Sequence, residues 1–350
     1  MSLALITGST GLVGSEAVNF FCDKGFDVIG IDNNLRKYFF GSNASTTIIK
    51  NSIIKKNKKY LHHNLDIRNS TGIEKIFKKY KKKISIIIHC AAQPSHDYGK
   101  NFPKLDFDVN AFGTLNLLEL TKKYCSDAVF IFMSTNKVYG DNPNKLKFIE
   151  KKDRWELSKK NPFYNGISEN FSIDDCTHSF FGVSKTYADL IVQEYGNNVG
   201  LKTVCFRAGC ITGPNHQGVP LHGFLSYLVK NCYEKKEYDV IGYKGKQVRD
   251  NIHSNDLVRC FWEFYKRPTK GEIYNVGGGR FSNCSVLEAI YLVEKIAKIE
   301  IKKNYFKKNR VGDHIWYVSN MKKFKKDYPA WKQKYSIKTI IRELIKEFSS

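Results

Sequence analysis

Three glycines near the start of the chain restrict what it can fold into more than any other feature. Ala4-Leu5-Ile6-Thr7 runs into Gly8-Ser9-Thr10-Gly11-Leu12-Val13-Gly14, and Val13, Ala17, Phe20 and Phe21 then recur at helical spacing. This predicts a strand, a glycine-rich turn and a helix. Gly8 and Gly11 let the backbone turn tightly and approach a pyrophosphate, and Gly14 lets helix and strand lie close. The free N–H groups at the helix start favour an anion. The spacing is G-x-x-G-x-x-G rather than G-x-G-x-x-G. A second strand, Asp27 to Asp32, ends in a carboxylate 18 positions after Gly14. An ordinary βαβ unit places there the group that holds the adenosine ribose hydroxyls of a dinucleotide. Asp32 would repel a 2′-phosphate, so NAD is expected over NADP, while Arg36 and Lys37 pull the other way.

At 350 residues the chain can bury one large α/β unit and a smaller lobe. Two lobes are expected: a dinucleotide-binding domain over 1–207, with a returning segment at about 247–276, and a substrate lobe over 208–350. No apolar stretch reaches the roughly 20 residues that span a bilayer. A cytoplasmic protein is expected, with no membrane partner. The nine cysteines form no C-x-x-C pair, so neither a metal nor a disulfide framework is indicated. The net charge of +23 raises the question of a nucleic-acid partner. Its lysines, however, are dispersed in short groups without repeated aromatic interleaving. None is therefore expected, and the positive field suits an anionic small substrate.

Along the chain, the polar and aromatic stretch Asn33 to Gly41 is expected to cover the adenosine end of the cofactor. Asp66 and Ile67 follow a third strand and are placed to touch the adenine; helix capping by Asp66 or Asn69 is the other reading. Ile84-Ser85-Ile86-Ile87-Ile88 reads as a parallel strand covered on both faces, opening into His89 to Asp97, where small Ala91 and Ala92 leave room for a cofactor. A helix is predicted over about Leu105–Tyr124. A fifth strand, Val129–Met133, leads to the hydroxyls of Ser134 and Thr135 at the sheet's carboxyl edge. The polar stretch Asp141–Cys176 reads as a long loop system, Ser179–Tyr195 as a helix and Thr203–Arg207 as the sixth strand of a six-stranded core; the glycines 277–279 after Ile273–Val276 read as a strand end under a packed loop rather than a second phosphate loop. The fold class is α/β, a Rossmann-type doubly wound parallel sheet with a smaller C-terminal lobe.

Taken together, these motifs resemble the extended short-chain dehydrogenase/reductase family, in particular its nucleotide-sugar epimerases. The residues are Thr7-Gly8-x-x-Gly11-x-x-Gly14, Asp32, Asp66-Ile67, Asn110-x-x-Gly113-Thr114, Ser134-Thr135, Val138-Tyr139-Gly140, Lys185, Arg207, Arg249-Asp250 and Arg310-x-Gly312-Asp313. The stretches 134–141 and 245–250 look most like the CDP-paratose 2-epimerase branch. The resemblance implies cofactor contacts at Gly8, Gly11, Leu12, Val13, Asp32, Asn33, Arg36, Asp66, Ile67, Ala91, Gln93, Asn110 and Lys185. It implies substrate contacts at Ser95, Thr135, Asn136, Arg249, Arg310 and Asp313, the two arginines gripping the diphosphate of a nucleotide sugar, a CDP-sugar by the branch it is most like. It further implies a homodimer through the helices near 105–124 and 179–195.

The family reaction removes a hydride from a sugar carbon, leaves a ketone and returns the hydride to the other face. Its usual proton-transfer group is a Tyr four residues before the Lys, one turn away on the same helix face. This chain has Phe181 there. Tyr187 lies on a different face from Lys185 and does not replace it. His96, just beyond the fourth strand, is the first candidate to have taken over proton transfer, because an unperturbed imidazole with a pKa of about 6.5 both accepts and donates protons at neutral pH. Cys210 is the second. The competing functions are a dehydrogenase, dehydratase or reductase on a related nucleotide sugar, and a catalytically silent NAD-bound protein.

Overall fold

The computed structural model describes residues 2–216, 218–219, 223–310 and 312–349. Its central sheet has seven strands: β1 (Leu3–Thr7), β2 (Asp27–Ile31), β3 (Tyr60–His63), β4 (Ile84–His89), β5 (Val129–Thr135), β6 (Lys202–Ala208) and β7 (Glu272–Val276). Their spatial order is β7-β6-β5-β4-β1-β2-β3. β1 pairs in parallel with β2 and β4, β2 with β3, and β4 with β5. The order reverses between β1 and β4, so the carboxyl ends of these two strands flank the crevice where open α/β sheets hold ligands.

The apolar runs alone predict six strands, and β7 is the addition. It joins the edge beside β6, a partner far back in the chain, so no local pattern announces the pairing. Ile86, Ile87 and Ile88 of β4 and Phe130, Ile131 and Phe132 of β5 are fully buried, as a sheet covered on both faces requires.

Two compact units are traced. The first comprises Met1–Val138, Phe180–Arg207 and Val258–Tyr274; the second comprises Tyr139–Ser179, Ala208–Leu257 and Asn275–Ser350. The segment 139–179, placed with the first domain by sequence, therefore groups with the second unit. It is also less irregular than its polarity suggests, since it holds a short hairpin of Phe148–Glu150 and Trp155–Leu157.

In the first unit the predicted helix over 105–124 is three pieces. Pro103–Phe107 and Gly113–Tyr124 are α-helical, and between them Asp108–Phe112 forms a π turn. The helix predicted from Ser179 runs over Phe180–Asn197, and the stretch after Asp32 contains a short helix, Leu35–Phe40.

The second unit has its own core, in which Leu225, Leu228, Val240, Val293, Ile340 and Leu344 are buried together. Its strand Val248–His253 pairs in parallel with Cys210–Thr212 and Trp316–Tyr317 and antiparallel with Asn283–Ser285. Gly277 and Gly278 mark a packed loop rather than a phosphate cradle. A Cβ on Gly277 would overlap the Asp250 carboxylate, and one on Gly278 the Ser282 carbonyl. Among the described residues no helix is long and apolar enough to cross a membrane.

Candidate active site

The glycine-rich turn has the shape of a dinucleotide cradle. Gly8 adopts φ +66°, and a Cβ there would lie 2.7 Å from the Ala91 amide nitrogen. A Cβ on Gly14 would overlap the Gly8 carbonyl. At Gly11 an added Cβ would meet only the Gly8 carbonyl oxygen, at 3.4 Å, so that side of the turn is open to a ligand. Gly11 is the N-cap of the helix Leu12–Asp23, whose first turn has no side-chain cap. The N–H groups of half-buried Leu12 and Val13 therefore belong to the orphan donors that attract phosphate. These residues fit the pyrophosphate of a dinucleotide.

Asp32 stands just past β2. Its two carboxylate oxygens accept the Thr10 amide at 3.0 Å and the Asn34 amide at 2.7 Å, and each keeps acceptor capacity for a hydroxyl. Asn33 donates to Asp66 at 2.8 Å, and Arg68 forms an ion pair with Asp66, also at 2.8 Å. Asn69, not Asp66, caps the helix Ser70–Tyr80, by accepting from the Gly72 amide. The Arg36 guanidinium lies 5.1 Å from the centre of the Phe40 ring, and burial lowers its pKa to about 10.

At the other end of the crevice, the Lys185 ammonium donates to the Met133 carbonyl at 2.7 Å and lies 4.1 Å from the centre of the Phe132 ring. Burial pulls its pKa down to about 8, against the opposing pull of Asp189 one turn along the helix. Two residues beyond Met133, the Thr135 hydroxyl accepts the Lys137 amide at 3.2 Å, and Asn136 adjoins it. Beneath them Asp189 and Arg207 form a buried ion pair at 2.7 Å, with Ser134 donating to Asp189. This pair fixes the end of β5 against the helix Phe180–Asn197.

Phe181 is buried one turn before Lys185, and the His96 ring meets it edge-on, with centroids 5.0 Å apart. His96 opens the short helix His96–Asn101, whose N-cap Ser95 accepts the Tyr98 amide. Gln93 and Asn110, predicted to touch the cofactor, turn inward. Gln93 clamps both backbone groups of Ser95, and Asn110 holds both backbone groups of Gln93.

The sequence reading did not single out three residues of this region. His89 bridges Thr7 at 2.7 Å and Thr114 at 2.9 Å, and burial lowers its pKa to about 3, so it stays neutral. Asp106 and Ser184 lie in the network around Gln93. The one available signal was position: Asp106 precedes Asn110 by one helical turn, on the same face.

In the second unit, the Arg249 guanidinium pairs with the Asp313 carboxylate, so these two predicted substrate residues meet. Cys210 stands opposite Asn251, on the strand that also carries Arg249. Arg310 lies three residues before Asp313, whose amide donates to the Arg310 carbonyl at 3.3 Å.

A sequence model of the NAD dependent epimerase/dehydratase family matches residues 4–277. CDP-paratose 2-epimerase of Salmonella typhi is 30% identical over 347 residues, covering 97% of each chain. A dTDP-glucose 4,6-dehydratase of Salmonella typhimurium is 27% identical over 302 residues, covering 82% of this chain and 77% of its own. Among solved structures, the UDP-glucose 4-epimerase of Bifidobacterium longum in complex with NAD+ and UDP has a TM-score of 0.80 at 24% identity, covering 99% of this chain and 98% of its own. The UDP-glucuronic acid 4-epimerase of Bacillus cereus, in complex with UDP-glucuronic acid and NAD, has a TM-score of 0.77 at 22% identity, covering 99% of each chain. At these identities the structural likenesses establish the fold.

Proposed function

The chain belongs to the NAD dependent epimerase/dehydratase family, and from that premise we propose that it is an NAD-dependent epimerase that inverts the C2 centre of CDP-paratose or a close relative. One observation carries the chemistry. Lys185 is held buried against β5, two residues short of Thr135, so the reactive end of the site is kept although the usual Tyr is Phe181. The choice of substrate rests on the relative that is 30% identical over nearly the whole chain.

NAD, when bound, supplies the hydride acceptor and donor. Gly8, Gly11 and the first turn of the helix Leu12–Asp23 hold its pyrophosphate, Asp32 its adenosine ribose, and Asp66 and Ile67 its adenine. Lys185 anchors the nicotinamide ribose. Thr135 hydrogen-bonds the sugar hydroxyl that is oxidised. His96, whose ring lies against Phe181 where a phenol would otherwise stand, takes the hydroxyl proton as the ketone forms and gives it back after the sugar turns over. Cys210 is the second candidate for that transfer. Arg249 and Arg310 grip the diphosphate, with Asp313 orienting Arg249.

The working form is a cytoplasmic homodimer. Its cysteines are all free, as suits a reducing compartment. Phe107, Phe112, Phe180, Val183, Tyr187 and Leu190 are exposed along Pro103–Phe107, the π turn Asp108–Phe112 and the helix Phe180–Asn197, which a second copy would cover.

The test is incubation of the purified, NAD-loaded protein with CDP-paratose, following sugar stereochemistry by proton NMR and NADH by absorbance. Inversion at C2 without accumulating NADH is the expected result. Accumulating NADH would instead identify a dehydrogenase, and loss of water a dehydratase.

A further inference from the structure

Asp106 is a fully buried carboxylate, and what surrounds it is unusually informative. Gln93 donates to its Oδ1 at 2.5 Å, Ser184 to its Oδ2 at 2.5 Å, and Asn110 to Oδ1 at 3.3 Å. Taking a carboxylate out of water is costly, and neutral donors offset only part of that cost. Burial accordingly raises its pKa, with Ser184, Gln93 and the nearby charge of Lys185 pulling the other way.

These hydrogen bonds converge on two segments. Gln93, besides meeting Asp106, donates to the Ser95 carbonyl at 2.8 Å and accepts the Ser95 amide at 2.5 Å. It thereby fixes the residue immediately before His96. Ser184 lies between Phe181 and Lys185 on their helix. A separate observation joins the same parts. Gly99, in the His96 helix, sits so close that a Cβ there would lie 3.0 Å from the Asp106 Oδ1 and 3.2 Å from the Phe181 amide nitrogen. A side chain there would push the His96 helix or its neighbours apart by a few tenths of an ångström.

We propose that Asp106 is a positioning residue for proton transfer: through Gln93 it fixes the turn bearing His96, and through Ser184 the helix bearing Phe181 and Lys185. One buried side chain thus sets imidazole, aromatic ring and ammonium in register. The proton-transfer part rests on the epimerase reading above; the placement of the His96 ring does not.

The experiment records imidazole C–H resonances of histidine-labelled, NAD-loaded protein, with His96 assigned by its loss in His96→Gln. The edge-on Phe181 ring displaces the His96 signal, and Phe181→Leu calibrates that displacement. Asp106→Ala and Gln93→Met are each expected to move the signal most of the way to its Phe181→Leu position. With CDP-paratose as substrate, each lowers kcat about tenfold or more, while KM and bound NAD stay within about twofold. Asp106→Asn, which can still accept from Gln93 and donate to Ser184, restores most of both. If Asp106→Ala fails to fold, Gln93→Met carries the same test, because it severs the link from Asp106 to Ser95 and leaves the Ser184–Asp106 hydrogen bond in place. An unmoved signal in these variants, or a moved signal with unchanged kcat, overturns the proposal. A wild-type protein that turns over no nucleotide sugar defeats the epimerase reading instead, and the resonances then decide the positioning by themselves.

Discussion

Asp250 is fully buried in the second unit, and its Oδ2 accepts the Gly279 amide at 3.0 Å and the Ser319 amide at 2.8 Å. Burial raises its pKa to about 6, because those hydrogen bonds offset only part of the desolvation. The fold therefore favours the protonated acid. That stabilisation is fully present below the ordinary carboxylate range and is lost as pH rises through about 6. Asp250→Asn removes the titration while keeping an acceptor for the two amides. From pH 4 to 7 the variant is expected to gain about 2 kcal/mol relative to wild type in denaturant unfolding; a constant difference would sink this account. Asp32 supplies a second prediction. Asp32→Ala removes the acceptor at the end of β2, and the purified variant is expected to carry little NAD by chromatography of the released nucleotide. Tighter binding of NADP than NAD by the wild type would refute the ribose role. Asp32 stood out in sequence because its reading depends on a local spacing. Asp106 was not, since a polar residue on a helix reads as a solvent-facing position until its partners from Gln93 and Ser184 are known.

Among the elements, the helices around the crevice show how far periodicity reaches. Val109, Leu115 and Leu118 keep helical spacing across the region, so the sequence predicts one helix, and the π turn at Asp108–Phe112 leaves no mark in that pattern. The wider turn accommodates Asn110, whose side chain bonds the backbone of Gln93. β4 and β5 were legible for the opposite reason, being unbroken apolar runs that only a covered strand explains. The strand end before Gly277 and the return of the segment 247–276 were legible, whereas the place of β7 in the sheet was not, because pairing with a distant strand is a property of the fold rather than of Glu272–Val276. The Asp189–Arg207 pair ties the helix Phe180–Asn197 to β6 while both side chains are almost wholly buried. Arg207→Ala strands the Asp189 carboxylate and is expected to cost about 3–5 kcal/mol in denaturant unfolding. A loss below about 1 kcal/mol would place the pair among exposed ones.

For the whole molecule, the exposed aromatic and aliphatic side chains of the segment 103–112 and the helix Phe180–Asn197 bear on assembly. Light scattering at micromolar concentration is expected to give a dimer, and the pair Phe112→Glu with Leu190→Glu a monomer that still binds NAD. A monomeric wild type would exclude the homodimer. The interleaved chain has another consequence, for synthesis. β6 is complete at Ala208, yet its neighbour at the sheet edge ends only at Val276. At ribosomal rates of about 5–20 residues per second, β6 waits roughly 3–14 s with bare amides and carbonyls along one side. During that interval the nascent protein offers other chains an open template. Ribosome-bound chains stalled at residue 257 should therefore recruit a holdase chaperone, and those stalled well beyond Val276 should release it.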